Sequence, residues 1–176
     1  MSQSFKEGRL TFSFPDSWSV CRPGETLYYS TRFQLFCGGC KETDFAAYAA
    51  DTGKLWLVEV KDYAAHPRTK PGPLPEEMAK KVRDTLALLA AAAVSDTAPS
   101  TAPVIQAGDF GRLARGAISL SVVLHCEPQP RPSVLFPAVS HMANLLQALR
   151  TALRAVDANV RLASKGTYSG LPWTVS

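Results

Sequence analysis

Two charged residues interrupt an otherwise apolar segment near the middle of the chain, LWLVEVKDY at 55–63. The segment is apolar enough at its start to predict a strand that lies inside a sheet. Because side chains in a strand repeat every second residue, Glu59 and Lys61 are expected side by side on one face. Burial of an uncompensated charge is costly. The pair therefore requires ion pairing, a bound metal, or exposure at the end of the strand.

A further acid, Asp44, precedes this strand in the segment CKETDF. The sequence DTGK at 51–54 suits a tight turn, so Thr43–Ala50 and Leu55–Tyr63 are predicted to form a β-hairpin. In that hairpin Asp44 can reach the pocket of Glu59, provided that the register does not slip by one residue. Two carboxylates supply hard oxygen ligands for Mg2+, and a neighbouring lysine can orient an attacking water. These residues predict metal-dependent phosphodiester hydrolysis.

An Asp on one core strand, a turn, and Glu-x-Lys on the next strand resemble the PD-(D/E)xK, or restriction-endonuclease-like, nuclease superfamily. The match consists of Asp44 followed by Glu59-Val60-Lys61. The resemblance implies that Asp44, Glu59 and the Val60 carbonyl hold Mg2+ or Mn2+, while Lys61 assists the nucleophilic water. It also implies a further acidic ligand on the first helix, for which Glu25 is the candidate.

The same resemblance implies an α/β fold with a restriction-endonuclease-like core (αβββαβ), in which helices flank a central mixed β-sheet. It implies a nuclease that acts on nucleic acid, with DNA as the expected substrate. Two alternatives stay open. One is a catalytically inactive member of the fold that binds nucleic acid or serves in assembly. The other is a surface ion pair between Glu59 and Lys61 at the end of a strand.

The basic residues His66, Arg68 and Lys70 follow the Glu-x-Lys strand in a proline-rich loop. They lie at the end of the strand where a substrate would arrive, so they are candidates for contacts with phosphates. A solvated loop is the competing interpretation. The cations of the next helix, Lys80, Lys81 and Arg83, are expected on an ordinary polar helix face.

Cys37-Gly38-Gly39-Cys40 has the spacing of a zinc knuckle or a redox pair. A structural zinc site normally has four ligands, and only Cys21, His125 and Cys126 are left to complete one. A protein-interaction domain stabilised by a structural zinc ion is therefore a third hypothesis. The simpler interpretation is a glycine turn between two small apolar thiols.

The elements that position these residues follow from apolar periodicity. The predicted elements, besides the hairpin, are strands at Arg9–Phe14, Trp18–Cys21 and Ala117–His125, and helices at Glu25–Phe36, from Pro75 onward, and at Val139–Val156. Proline-rich loops are expected at His66–Pro75, Ala98–Pro103 and Pro128–Pro137.

Length and composition limit the number of domains, the kind of partner and the location that the chain can have. A chain of 176 residues that is 46% hydrophobic and 19% charged suits one domain, 1–176, with a real core. The net charge of +4 permits an anionic partner. The N-terminus lacks the apolar region of a secretory signal, and the run Leu86–Val94 is too short to span a bilayer, so a cytoplasmic location and no membrane partner are expected.

A homodimer is compatible with cleavage of both strands, and the resemblance to small standalone nucleases suggests a protein partner in a defence or repair system.

Overall fold

Two β-sheets and three α-helices make up the regular structure of the described residues. The computed structural model describes residues 2–101, 105–129, 131, 142–165, 167 and 170–176. The strands are β1 (Ser2–Glu7), β2 (Leu10–Pro15), β3 (Ser19–Cys21), β4 (Phe45–Ala49), β5 (Lys54–Asp62), β6 (Ser119–Glu127), β7 (Arg161–Ala163) and β8 (Thr174–Val175). The helices are α1 (Leu74–Ser95), α2 (Ala107–Ala114) and α3 (Met142–Leu153).

The central sheet has the strand order β3-β4-β5-β6-β7 among the described strands. β3, β4 and β5 pair antiparallel, whereas β5, β6 and β7 pair parallel. The prediction of an α/β fold with a mixed central sheet and flanking helices is thus confirmed. β5 lies in the middle of this sheet, hydrogen-bonded to β4 on one side and to β6 on the other.

Alternate residues of β5 face two different layers. Leu55 and Leu57 pack into the cluster formed with the three helices. Trp56 and Val58 pack into the aromatic cluster beneath the smaller sheet, β1-β2-β8. The described helices therefore cover one face of the central sheet, and the smaller sheet covers the other.

The β4–β5 hairpin is confirmed. Its ladder runs from Ala49 opposite Lys54 to Phe45 opposite Val58. Gly53 ends the turn with a φ of +60°, and a Cβ at this position would lie 2.8 Å from Ile118 Cγ1. Glycine is therefore required both by the backbone conformation and by the close approach of the neighbouring chain.

The turn between β1 and β2 lies beside the far end of β5. Arg9 Nε and Nη2 donate hydrogen bonds to the two carboxylate oxygens of Asp62, at 2.8 and 2.9 Å. This bidentate pair joins the two sheets at the same end of β5 that carries Lys61.

α1 confirms the helix predicted from Pro75 onward. It buries Met78, Val82 and Leu89 against the sheet. α2 packs across it so closely that a Cβ on Gly111 would lie 2.4 Å from the Leu89 carbonyl oxygen. No helix in the described ranges is long and apolar enough to cross a membrane.

The predicted α-helix at Glu25–Phe36 is wrong. This segment forms a 3-10 turn at Pro23–Glu25, a π-helical turn at Tyr29–Phe33 and a second 3-10 turn at Phe36–Gly38. Hydroxyl side chains compete for its backbone carbonyls: Thr26 Oγ1 donates to Pro23, and Thr31 Oγ1 donates to Leu27, both at 2.7 Å. Such local bonds disfavour a regular helix.

Other boundaries differ less from expectation. The strand predicted at Ala117–His125 is displaced by two residues, to Ser119–Glu127. α3 confirms the later helix over Met142–Leu153, whereas the predicted start at Val139 lies outside the described residues. The same holds for parts of the loops predicted at Ala98–Pro103 and Pro128–Pro137.

Candidate functional site

Asp44 and Glu59 face each other where the β4–β5 ladder ends. Because Phe45 is paired with Val58, the antiparallel register places Asp44 directly opposite Glu59. Asp44 Oδ2 accepts a hydrogen bond from the Val60 backbone N–H at 2.7 Å. The structure thus brings together two of the predicted metal ligands, Asp44 and Glu59, and places the backbone N–H of Val60, whose carbonyl was the third, against Asp44.

Glu59 is the most enclosed charged group of the site, with 1% of its side chain exposed. Its Oε1 accepts a hydrogen bond from Lys61 Nζ at 2.6 Å and forms an ion pair with Lys81 Nζ, also at 2.6 Å. Its Oε2 is buried and has no hydrogen-bond partner among the described residues. Burial, and then the charge of Asp44, raise the pKa of Glu59 to about 7 against the opposing effect of the two lysines. One oxygen of this carboxylate is therefore engaged by cations, and the other is available to a ligand.

Lys61 is held between two carboxylates. Its Nζ lies 3.2 Å from Glu77 Oε1, in addition to its contact with Glu59. Burial works to lower the pKa of Lys61, but Glu59 and Glu77 outweigh it and hold that pKa above its usual range. Burial likewise works to raise the pKa of Glu77, yet Lys61 and Lys70 bring it down to about 2. Lys61 is therefore a fixed ammonium ion at neutral pH, able to orient a water but not to accept its proton.

Lys81 was expected on an ordinary polar helix face, and that interpretation is wrong. Its side chain is 14% exposed and bonds directly to Glu59. Lys81 lies one helical turn after Glu77, beside the apolar stripe that contains Met78 and Val82. The spacing of Glu77 and Lys81, four residues apart along the edge of that stripe, is the sequence signal that could have identified both.

Glu25 is not brought to the carboxylate pair. It is exposed in the first 3-10 turn, where its Oε1 lies 2.5 Å from Arg22 Nη1. Arg22 also forms an ion pair with Glu7. Burial raises the pKa of Asp44, and Glu7 adds to this shift, whereas Lys81 and the Val60 N–H oppose it. Glu7, which no sequence signal identified, is thus the N-terminal acid whose charge reaches the site.

The donor set fits a magnesium-type cation. Mg2+ prefers oxygen ligands, uses one or two carboxylates and keeps several waters. Asp44, Glu59 and the Val60 carbonyl are such donors, and the unpartnered buried Oε2 of Glu59 is the observation that suits a bound cation. Within the described residues, no group of three or more His, Cys, Asp or Glu side chains is placed to hold a metal. The site thus lacks the larger set of side-chain ligands typical of structural zinc.

The Cys-x-x-Cys segment forms a glycine turn. Cys37 is exposed with a φ of +51°, and Gly38 and Gly39 also have positive φ. Cys40 is buried, and its thiol donates to the Phe36 carbonyl at 3.3 Å. This geometry matches the simpler of the two interpretations of the segment.

Arg68, predicted to contact a substrate phosphate, is directed into the protein. Its side chain is 4% exposed and forms an ion pair with Glu77. It donates to the Tyr63 hydroxyl at 2.7 Å and to the Gly72 carbonyl at 2.6 Å. Arg68 therefore fastens the loop after β5 to α1, and a contact with substrate would require it to leave these partners.

The other two predicted phosphate contacts are open to solvent. His66 is exposed, and its backbone N–H donates to the Asp62 carbonyl at 3.0 Å. Lys70 is exposed over 57% of its side chain, with Nζ 3.3 Å from Glu77 Oε1. Lys70 is therefore joined to the site through the same carboxylate that holds Lys61.

An open groove of 490 Å³ adjoins the carboxylate pair. Glu77 and Lys81, which contact Lys61 and Glu59 respectively, form part of its lining. Its basic lining residues are Lys41, Arg68, Lys70, Lys80, Lys81 and Arg83, against the acids Glu76, Glu77 and Asp84. The excess of cations makes this groove suitable for an anion.

Comparisons with known proteins give one informative similarity. The chain is similar to part of a cysteine–tRNA ligase from Neisseria meningitidis serogroup A, with 31% identity over an alignment of 172 residues. The alignment covers 80% of this chain but 23% of the ligase, so the chain spans less than a quarter of that relative's length. No family model matches the chain. No solved structure matches it significantly either.

Proposed function

We propose that this chain is a metal-dependent nuclease of the restriction-endonuclease-like fold that hydrolyses phosphodiester bonds, with DNA as the expected substrate. The observation that carries the proposal is the pairing of Asp44 with Glu59 across two strands, next to Lys61. Glu59 offers a buried oxygen without a partner among the described residues, and Lys61 supplies a fixed positive charge at 2.6 Å from the same carboxylate.

The order and direction of the strands support the finer assignment of the fold. β3 pairs with β4, and β4 with β5, in antiparallel directions, and β6 joins β5 in parallel after α1 and α2. This order agrees with the three strands, helix and strand of the expected core. The expected first helix would precede β3, whereas the irregular turns at 23–38 follow it, so the described residues provide no counterpart of that helix.

The chemistry divides between the cation and the chain. Mg2+ or Mn2+ held by Asp44, Glu59 and the Val60 carbonyl would supply an activated water and neutralise charge on the phosphate. Asp44 is oriented for this by its bond from the Val60 N–H. Glu59 must lose its proton to take part. The ammonium of Lys61 orients the attacking water by donating a hydrogen bond and stabilises the negative charge that develops on the phosphoryl oxygens.

The test is cleavage by the purified protein in Mg2+ or Mn2+ and in EDTA. Substrates are plasmid DNA, linear duplex, single-stranded DNA and tRNA, the last because the similar ligase is named for tRNA. Asp44→Asn and Glu59→Gln should abolish metal-dependent cleavage while circular dichroism shows a retained fold. Asp51→Asn, an exposed acid at the opposite end of the same hairpin, should cleave as the wild type does. Cleavage that survives in folded Glu59→Gln would refute the mechanism.

A catalytically inactive nucleic-acid-binding module is the second candidate, favoured by one observation. Lys61 and Lys81 both form ion pairs with Glu59, so the two lysines and the carboxylate can serve as a structural ion-pair cluster. Calorimetry separates the two functions. Nucleic-acid binding without any uptake of Mg2+ or Mn2+ would support the inactive module.

A further inference from the structure

One wall of the basic groove is fastened to α1 by backbone hydrogen bonds. The Lys41 N–H donates to Asp84 Oδ2 at 3.1 Å, and the Thr43 N–H donates to Thr85 Oγ1 at 2.9 Å. Thr43 and Thr85 are fully buried, and their hydroxyls also lie 3.3 Å apart. The chain leading into β4 is therefore held at a fixed distance from the helix.

The opposite wall is fastened to the same helix. It is the segment around Pro71, Gly72 and Pro73, whose prolines restrict the backbone. Arg68 holds this segment by its hydrogen bond to the Gly72 carbonyl and its ion pair with Glu77. With both walls bonded to α1, the groove is preformed and resists widening.

Basic residues line the groove, both at its exposed rim and beside Glu59. Lys41, Lys70, Lys80 and Arg83 lie along it as exposed cations. Lys81 lines the same groove but reaches inward to Glu59. Lys81 is therefore the lining cation that contacts Glu59.

The dimensions favour one strand over two. A volume of 490 Å³ falls in the range, roughly 300–1,000 Å³, of sites that enclose a single small ligand. A B-form duplex holds its backbones apart across grooves of about 6 and 12 Å. A site of this volume holds one backbone and not two.

An exposed aromatic residue, Phe36, belongs to the chain segment that also supplies the groove residue Gly39. The Phe36 side chain is 55% exposed, and its carbonyl accepts the N–H of Gly39, a lining residue, at 3.0 Å. Proteins that bind single strands combine a basic groove for the backbone with aromatic side chains on which bases stack. The exposed part of Phe36, whose ring also packs against Phe33 with 5.5 Å between centroids, is the candidate for such stacking.

We infer that the groove binds a single nucleic-acid strand, with the cations of its rim on the phosphates, Phe36 against a base and Lys81 on the phosphate that enters the site. The preferred substrate is therefore a single strand or an unpaired end. This inference rests on the proposed function for the identity of the adjoining site.

Binding is tested by fluorescence anisotropy in EDTA, with fluorescein-labelled oligo(dT) and a duplex of equal length as probes. The wild type should bind the single strand about tenfold more tightly than the duplex. The double variant Lys41→Ala/Lys80→Ala should weaken single-strand binding and reduce the slope of log K against log salt by about 0.7 for each phosphate contact removed. Phe36→Ala should weaken it roughly fivefold. Arg150→Ala, exposed on α3 and outside the groove, should bind as the wild type does.

Equal or tighter binding of the duplex would overturn the inference, as would single-strand binding unaffected by both groove variants. A cleavage assay in Mg2+ on the same probes separates this result from the proposed function. Cleavage of duplex without preference for single strands would retain the nuclease and refute the single-strand groove. Single-strand binding with no cleavage of any probe would support the groove and refute the nuclease.

Discussion

Lys81 Nζ lies 2.6 Å from Glu59 Oε1, the same oxygen that Lys61 contacts. One oxygen of Glu59 thus bears two ammonium groups from different elements, a strand and a helix. The other is left without a partner in the described part of the chain. In the proposed nuclease, a cation bound to that second oxygen would share the carboxylate with both lysines, so metal binding and the positions of the lysines would be coupled.

Lys61→Met should lower kcat by about 100-fold or more, since it removes the group that orients the attacking water. Mg2+ should still bind, with an altered affinity, because Asp44 and Glu59 keep their oxygens. The measurements are steady-state cleavage and calorimetric titration with Mg2+. Lys54→Met, at the other end of the same strand, is the matched control and should retain kcat. Full activity in Lys61→Met would exclude its assigned role.

Mg2+ affinity should increase with pH up to about 7 and then level off. The pKa of Glu59 is raised to about 7, so below this value the group is protonated and binding must release its proton. Affinity should therefore fall by about tenfold for each pH unit below the pKa. Calorimetry at neutral pH in buffers of different ionisation enthalpy reports the released proton directly. An affinity independent of pH across this range would show that Glu59 is not a ligand.

Arg68→Ala should destabilise the protein by about 2 kcal/mol, because the Tyr63 hydroxyl and the Gly72 carbonyl lose a buried partner. Chemical denaturation measures the change. The exposed Arg154→Ala on the segment after α3 should change stability by less than about 0.5 kcal/mol. Equal stabilities of the two variants would mean that Arg68 does not hold the loop.

Gly111→Ala should destabilise by roughly 1–3 kcal/mol, because its methyl group would overlap the Leu89 carbonyl and force α2 away from α1. The control is Gly72→Ala, where an added Cβ meets no atom within 4 Å. Thermal unfolding compares the two. A wild-type melting temperature for Gly111→Ala would show that the two helices separate without cost.

The placement of Asp44 and Glu59 could be predicted because it depends on local rules. Alternation along β5 put Glu59 and Lys61 on one face, and the turn at 51–54 set the register that brings Asp44 opposite. Both follow from residues within the hairpin itself. The same rules identified α1 from its apolar spacing.

The contribution of α1 to the site could not be predicted in the same way. Glu77 and Lys81 meet Lys61 and Glu59 only because of the angle at which the helix lies on the sheet. That angle results from packing between distant parts of the chain, which periodicity does not report. The prediction that Glu25 is a metal ligand on a first helix was wrong for a different reason. Side-chain hydroxyls in this segment bond to backbone carbonyls, which favours short turns over the expected helix.

Among the described strands, the two edges of the central sheet are β3 and β7, and each is three residues long. An edge this short exposes few unpaired backbone groups, so it is a poor template for a strand from another molecule. The smaller sheet differs, because its edge strand β1 is six residues long. Any association of two copies by strand pairing is therefore expected at β1 and not at the central sheet that carries Asp44 and Glu59.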